Sequence, residues 1–317
     1  MVRFHPDLAV ARFIPPVRFG PRSTRLLNRV PSRTGPAPQD VLVEDVLVPA
    51  SGGDPAVPVR VYRPRTLRGT APALLWIHGG GMVSGTALID ERSNLDFART
   101  LGITVVSVEY RLAPGAHEPA LVEDCFRALR WLVEHAEERG VDPARIAVGG
   151  ASAGGGLTAG LVLLAHDRGG PAIAFQLLVY PMIDDRTVLR ADRQQGVRVW
   201  TPASNRYGWT SYLGREPGGP DVPAYAAPAR RDDLAGLPPA WIGVGTLDLF
   251  HDEDVRYAER LREAGTPCAL EVVEGAFHGF DAILPGKPVS RAFWRAQALA
   301  LHGALLPDDE PPRWTGD

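Results

Sequence analysis

The sequence predicts an α/β protein whose parallel sheet is covered by helices on both faces. From residue 71 onward, short runs that are apolar throughout alternate with longer segments of helical periodicity. Strands buried on both faces are apolar throughout, and such strands separated by helices are typical of a parallel sheet. The predicted strands cover residues 71–77, 103–108, 145–148, 172–180, 240–244 and 269–273. The predicted helices cover residues 90–101, 119–138, 157–166, 252–264 and 290–305.

Two regions depart from this alternation. Residues 184–238 show no strand pattern, and their aromatic residues are interleaved with Pro and Arg. A structureless connection of that length is uncommon in a compact domain, although a long surface loop is the alternative. We therefore expect an insertion that, with an N-terminal arm, covers the C-terminal edge of the sheet. The predicted division is 1–40 (cap arm), 41–183 (first part of the core, opening with a hairpin), 184–238 (cap insertion) and 239–317 (second part of the core).

Composition limits the classes of function. The chain has 317 residues, 45% hydrophobic and 22% charged, with a formal net charge of -3, so neither nucleic acid nor an anionic membrane is an expected partner. No apolar run approaches the ~20 residues of a membrane span, and no secretory leader is visible. We expect a cytoplasmic protein, with a transit peptide as the alternative for the arginine-rich arm. Cys125 and Cys268 lack metal-site spacing and are expected to be buried thiols, with a single disulfide as the alternative.

A Gly-x-Ser-x-Gly motif is formed by Gly150, Ser152 and Gly154, between a predicted strand and a predicted helix. This is the pattern of a nucleophile elbow, in which a sharp turn exposes a serine hydroxyl beside a helix N-terminus. The motif alone is weak, because glycine-rich turns often only join a strand to a helix.

Partners for the serine follow in the right order along the chain. Ligands of open parallel sheets bind beyond the carboxyl ends of the strands, and Ser152, Asp248 and His278 all follow predicted strands. A serine needs a neutral imidazole to take its proton, and an acid to orient that imidazole. Asp252, Glu253 and Asp254 are rival acids, but they open a predicted helix; Asp281 follows the histidine too closely to orient it.

His78 and the run Gly79-Gly80-Gly81 follow another buried strand. Backbone N–H groups of Gly79 and Gly80, with that of Ala153, are the predicted donors to an oxyanion. A flexible loop is the alternative interpretation of the glycines. Residues 80–86 have Thr86 where a phosphate loop requires lysine, and no metal-ligand spacing occurs, so we expect neither a phosphate loop nor a metal site.

The chain resembles the hormone-sensitive-lipase-like family of α/β-hydrolase esterases, known in bacteria as family IV. The resemblance is carried by residues 78–81, 110–114, 152–155, 248 with 252–253, and 277–280. It implies an α/β-hydrolase fold, a mainly helical cap, an acyl-serine intermediate and no cofactor. One position departs from the family pattern: Ala151 stands where an aspartate often precedes the serine.

We therefore expect a carboxylesterase that acts on small to medium, uncharged acyl esters, with a small-molecule ester as its substrate. The predicted pocket residues are His78, Gly81, Trp209, Tyr212, Phe277 and Phe280, each aromatic having a plain core role as the alternative. An amidase, a formamidase or a lactonase would use the same triad. A ligand-binding receptor on this scaffold would lack a triad residue. An exposed edge strand at residues 268–273 suggests a homodimer.

Overall fold

The computed structural model describes residues 3–30, 35, 38–190 and 196–312. Within these ranges the strands are β1 (Val41–Val48), β2 (Val57–Pro64), β3 (Ala71–Ile77), β4 (Thr104–Val108), β5 (Val141–Ala151), β6 (Phe175–Val179), β7 (Ala240–Gly245) and β8 (Cys268–Val273). The α-helices are α1 (Pro21–Leu27), α2 (Glu91–Leu101), α3 (Ala120–Glu134), α4 (Ala153–Asp167), α5 (Pro202–Leu213), α6 (His251–Glu263), α7 (Phe280–Ile283) and α8 (Pro288–Leu305). Short 3-10 helices occupy Pro6–Phe13, Asp185–Leu189 and Pro228–Arg230.

The strands of the described chain form one sheet in the order β1-β2-β4-β3-β5-β6-β7-β8. The pairs from β4–β3 to β7–β8 are parallel, whereas β1–β2 and β2–β4 are antiparallel. The predicted, mainly parallel sheet is thus confirmed. In its centre, Ile77 at the end of β3 lies in register with Gly150 of β5. This register places the loop that begins at His78 directly beside the turn that carries Ser152.

Helices cover both faces of the sheet, as the apolar strands require. Leu129 of α3, Leu161 of α4 and Leu261 of α6 belong to the apolar cluster on one face. Phe97 of α2 and Leu301 of α8 belong to the cluster on the other. All seven residues of β3 are buried, which is why its sequence shows no alternation of polar and apolar residues.

The N-terminal arm contacts both the core and the insertion. Leu8 is fully buried in the cluster formed by α2 and α8. Farther along, the ring of Phe19 packs on Trp200 at 5.6 Å between centroids, and the hydroxyls of Thr24 and Tyr207 lie 2.9 Å apart. The described residues of the insertion contain helices and no strand. Residues 31–34, 36–37 and 191–195 of these segments lie outside the described ranges, and the domain boundaries stay a prediction.

Strand β8 is the last strand of the sheet, so its outer edge is unpaired in the chain as described. Pairing of two copies along this edge stays a prediction. None of the helices in the described ranges is both long and apolar enough to cross a bilayer.

Candidate active site

Ser152 lies at a turn in which β5 passes directly into α4. Its backbone has φ 57° and ψ −119°, a conformation that residues with a side chain rarely adopt. A Cβ atom added to Gly154 would lie 2.0 Å from the carbonyl oxygen of Ile77, and one added to Gly150 would lie 2.5 Å from it. Only hydrogen fits at these positions. The two glycines of the motif therefore let strand and helix approach closely enough to hold the serine in its strained conformation.

Ser152, His278 and Asp248 form a continuous hydrogen-bonded chain. The hydroxyl oxygen of Ser152 lies 2.8 Å from Nε2 of His278, and Nδ1 of His278 lies 2.8 Å from Oδ2 of Asp248. The other carboxylate oxygen of Asp248 accepts a hydrogen bond from the Phe250 amide at 3.0 Å. These side chains come from residues up to 126 positions apart, and all three residues are at most 8% exposed.

The rival acids have other partners or positions. Glu253 accepts hydrogen bonds from the amides of Ile183 (2.8 Å) and Asp184 (3.0 Å). Asp252 contacts the neighbouring His251, and Asp281 accepts from Tyr180. Asp254 is fully buried, and its carboxyl has no hydrogen-bond partner in the described part of the chain. Of the acids considered from the sequence, Asp248 is the one that the fold brings to His278.

Aromatic rings hold the imidazole of His278 in place. Tyr180 packs edge-on against it, with ring centroids 4.9 Å apart. Phe250 does the same at 5.2 Å, with the two planes at 85°. Because these rings restrict rotation of the imidazole, its two nitrogens stay directed at Ser152 and Asp248.

The glycine loop after β3 folds over the serine turn. Gly80 has φ +115°, and a Cβ atom there would lie 1.9 Å from the Ser84 carbonyl oxygen. A Cβ atom on Gly79 would lie 3.6 Å from the Cβ of Ser152, so the loop lies directly against the serine. In the part of the chain that the structure describes, no protein acceptor takes a hydrogen bond from the N–H groups of Gly80 and Gly81. The Gly79 amide likewise has no backbone acceptor among the described residues, so the loop keeps its amides available for a ligand.

His78 stabilises this loop. It is fully buried, its ring stacks on Tyr110 at 4.2 Å, and its Nδ1 lies 2.7 Å from the Gly79 carbonyl oxygen. The hydroxyl of Tyr110 donates to the His78 carbonyl at 2.8 Å. Burial lowers the pKa of His78 to about 4, so the ring is neutral at pH 7 and supports the loop without adding charge.

The aromatic residues predicted for the pocket lie in different surroundings. Phe277 packs against Phe4 and Phe280 against Phe293, with centroids 6.5 Å and 5.0 Å apart, so both make ordinary core contacts. Trp209 and Tyr212 are fully buried in the core cluster that includes residues of the insertion.

Trp200, which the sequence shows only as one aromatic of the insertion, lies over the glycine loop. A Cβ atom added to Gly81 would be 2.0 Å from its ring. Its position depends on the fold of the insertion, and the sequence carries no local signal for it.

In the ranges that the structure describes, no group of three or more His, Cys, Asp or Glu side chains is placed to hold a metal ion. The groups that the fold gathers at this site are a hydrogen-bonded hydroxyl, an imidazole, a carboxylate and backbone amides.

Comparison with known proteins gives a consistent result. A family model described as the α/β-hydrolase fold matches residues 74–282. The esterase LipI of Mycobacterium tuberculosis is 36% identical over 257 residues, which are 79% of this chain and 80% of LipI. The ethyl acetate hydrolase of Pseudomonas putida is 33% identical over 78% of each chain. The solved structure of a bacterial heroin esterase superposes with a TM-score of 0.86 at 38% identity, covering 95% of this chain and 98% of that one.

The match spans most of the chain, and its relatives at 33–38% identity are esterases and carboxylic ester hydrolases. The protein is accordingly a carboxylic ester hydrolase. The chain belongs to the α/β-hydrolase family, within its hormone-sensitive-lipase-like branch of carboxylesterases.

Proposed function

We propose that this carboxylesterase hydrolyses small to medium, uncharged acyl esters through an acyl-serine intermediate, with Ser152 as nucleophile, His278 as base and Asp248 as the orienting acid. The observation that carries the proposal is the unbroken chain from the Ser152 hydroxyl through the imidazole to Asp248, with 2.8 Å at each step. These are the distances at which a proton passes directly between heavy atoms.

Acylation begins when the Ser152 oxygen attacks the ester carbonyl and Nε2 of His278 takes the hydroxyl proton. Asp248 accepts a hydrogen bond from Nδ1–H, which holds the tautomer with a free Nε2 and stabilises the imidazolium that forms. When the tetrahedral intermediate collapses, His278 gives its proton to the leaving alcohol. Water then attacks the acyl-serine while His278 takes its proton, and His278 returns that proton to the Ser152 oxygen as the carboxylic acid leaves.

The negative charge on the tetrahedral oxygen is bound by backbone amides. Ala153 lies at the N-terminus of α4, where unpaired N–H groups and the helix dipole favour an anion. On the glycine loop, the Gly79 and Gly80 amides are the proposed donors, because a Cβ atom on Gly79 would lie 3.6 Å from the Cβ of Ser152. Each such donor is worth ~100- to 1000-fold in rate.

Two relatives are named after their ester substrates, ethyl acetate and heroin, which supports esters of small to medium size for this chain. The buried Trp200 over the glycine loop supports an apolar acyl group. Amides, formamides and lactones are the alternative substrates. A panel of p-nitrophenyl esters of increasing chain length, assayed beside matched anilides and lactones, decides among these classes.

The nucleophile is tested with Ser152→Ala, for which we expect kcat to fall by a factor on the order of a million. The control is Ser51→Ala, an exposed serine in the turn between β1 and β2. We expect it to retain the parent activity. In parallel, diethyl p-nitrophenyl phosphate should label the parent stoichiometrically and leave Ser152→Ala unlabelled. Near-parental hydrolysis by Ser152→Ala would refute the mechanism.

A further inference from the structure

A cavity of about 600 Å³ lies behind the serine turn, between α2, α8 and the loop that follows β3. We call it the rear cavity; Ala151, Asp90, Asp281 and Tyr180 are among its lining residues. Its volume is within the ~300–1,000 Å³ of small-molecule sites. None of the three proposed triad residues lines it, so it is distinct from the site at which the ester reacts.

The rear cavity explains the position at which the sequence departs from its family. Ala151 directly precedes Ser152, and its methyl group forms part of the cavity wall. An aspartate at this position would extend a carboxylate toward the space beside Asp90 and Asp281. The alanine therefore leaves room in this chain that the common family residue would reduce.

Two carboxyl groups line the cavity without a counter-cation. Asp90 accepts a hydrogen bond from the indole N–H of Trp76 at 2.9 Å, and Asp281 accepts one from the Tyr180 hydroxyl at 2.9 Å. In the described part of the chain, neither carboxyl is within salt-bridge distance of a lysine or an arginine. Burial raises the pKa of both groups, and the charge of Asp281 raises that of Asp90 further. A cation placed between them would offset both charges.

Helix α8 adds unpartnered polar groups to the same wall. Ser290 and Gln297 both line the cavity and are only 2% and 3% exposed. The hydroxyl of Ser290 and the side-chain nitrogen of Gln297 have no hydrogen-bond partner among the described residues. Buried polar groups are rarely left unpaired, so these two atoms call for a polar partner inside the cavity.

The mouth of the cavity limits the shape of that partner. Four arginines line the cavity: the exposed Arg92, Arg99 and Arg291, and the half-buried Arg295. Arg99 pairs with Asp40 at 2.6 Å and Arg92 with Asp96 at 3.9 Å, whereas Arg291 donates to a backbone carbonyl. Because these positive charges repel a cation at the mouth, a cation is favoured only beside Asp90 and Asp281, which the end of a slender carbon chain can reach. Trp76 and Trp294 provide apolar walls for its carbon chain.

We propose that the rear cavity is a binding site for a small primary amine or guanidine, whose cationic group lies between Asp90 and Asp281. Its carbon chain lies along the tryptophans, and its polar substituents pair with Ser290 and Gln297. Ala151 directly precedes Ser152, and Tyr180 packs on His278, so an occupant would lie one residue away from both the serine and the histidine of the ester site.

Isothermal titration calorimetry at pH 8 with n-butylammonium chloride tests the proposal, with n-butanol as the uncharged probe of the same length. We expect saturable binding of one butylammonium per chain and binding of butanol at least about tenfold weaker, because butanol lacks the charge that pairs with the carboxyls. No saturable binding of butylammonium, or equal affinity for butanol, would overturn the proposal.

Two variants locate the bound cation. Asp90→Asn removes one carboxylate, and Ser290→Leu fills the cavity from α8; each should weaken butylammonium binding about tenfold while the circular dichroism spectrum keeps its parental shape. Glu134→Gln, an exposed acid at the end of α3, is the control and should bind as the parent does. Loss in either folded variant supports the site, and parental affinity in both refutes it.

Discussion

The loops around Ser152 and the cap arm above them are built in opposite ways. In the loops, side chains are missing where backbone groups must approach, and a Cβ atom on Gly80 or Gly154 would lie within 2.0 Å of a carbonyl oxygen. On the arm, α1 leaves Leu26 67% exposed and Leu27 48% exposed, and it is attached by a few hydrogen bonds. The comparison teaches that the chemistry depends on dense backbone packing, whereas much of the arm tolerates change.

The largest effect on activity is expected for a substitution of Asp248, which accepts a hydrogen bond from His278. Asp248→Asn keeps the shape of the side chain and can still accept from the Phe250 amide, but it cannot stabilise the imidazolium. We expect kcat for p-nitrophenyl butyrate to fall by about 10⁴ with little change in the free energy of unfolding. Asp252→Asn, which alters a neighbouring acid on α6, is the control and should stay near parental activity. A fall of less than tenfold in Asp248→Asn would assign the orienting role elsewhere.

Glycine substitutions measure the packing of the loops directly. Gly154→Ala would place its Cβ 2.0 Å from the Ile77 carbonyl oxygen, so we expect a loss of about 3 kcal/mol or more in the free energy of unfolding. Gly303→Ala, within α8, meets nothing within 4 Å and should gain about 0.5–1 kcal/mol from helix propensity. Urea denaturation of both variants gives the comparison. Equal stability of the two variants would contradict the close packing of Gly154 against Ile77.

The turn at Ser152 and the helix α4 that follows it were predictable from the sequence only in part. The order and strand-end placement of Ser152, Asp248 and His278 are visible in the sequence, because parallel strands deliver their following residues to one edge. The start of the helix is not visible in the sequence. The sequence predicts a helix over residues 157–166, whereas α4 begins at Ala153. Glycines weaken a helix by roughly 1 kcal/mol each, so residues 154–156 do not look helical in isolation.

Tertiary packing overrides that propensity. A Cβ atom at Gly156 would lie 2.1 Å from the Met182 carbonyl oxygen, and one at Gly155 would lie 2.9 Å from Pro181. The packing of Trp200 over Gly81 is hidden for the same reason, since it joins the insertion to the glycine loop. Local patterns therefore indicate the candidate reacting side chains, while the backbone contacts that hold them require the folded chain.

A smaller effect is expected at Asp90, behind the glycine loop. Burial is the main cause that raises the pKa of Asp90 from 3.8 to about 6 in the folded chain. The unfolded chain releases this proton near pH 4, so the free energy of unfolding falls as the pH rises from about 4 to about 6. Asparagine does not titrate. Relative to the parent, Asp90→Asn should therefore be more favourable by about 2 kcal/mol at pH 8 than at pH 4.

Urea denaturation at the two pH values measures this difference. The control is Asp221→Asn, an exposed acid of the insertion, whose effect on stability should be the same at both. An equal change in stability at pH 4 and pH 8 would contradict the prediction. It would mean that the Asp90 carboxyl of the parent is as well solvated as an exposed carboxyl of the insertion, and that the dense packing around Ser152 does not extend to Asp90.

The smallest effect on stability is expected for an exposed residue of the N-terminal arm. The arm has one leucine that is buried in the core, Leu8, and another that is largely exposed, Leu26. Leu26→Ala removes a side chain that is 67% exposed, and we expect a change within about 0.5 kcal/mol in the free energy of unfolding. Leu8→Ala is the matched substitution at a fully buried position and should cost about 2–5 kcal/mol. A large loss in Leu26→Ala would mean that α1 is as firmly packed as the loops. Equal, small effects of both substitutions would instead show that the contacts of Leu8 with the core contribute little to stability. The arm would then be held mainly by Phe19 on Trp200 and by Thr24 on Tyr207.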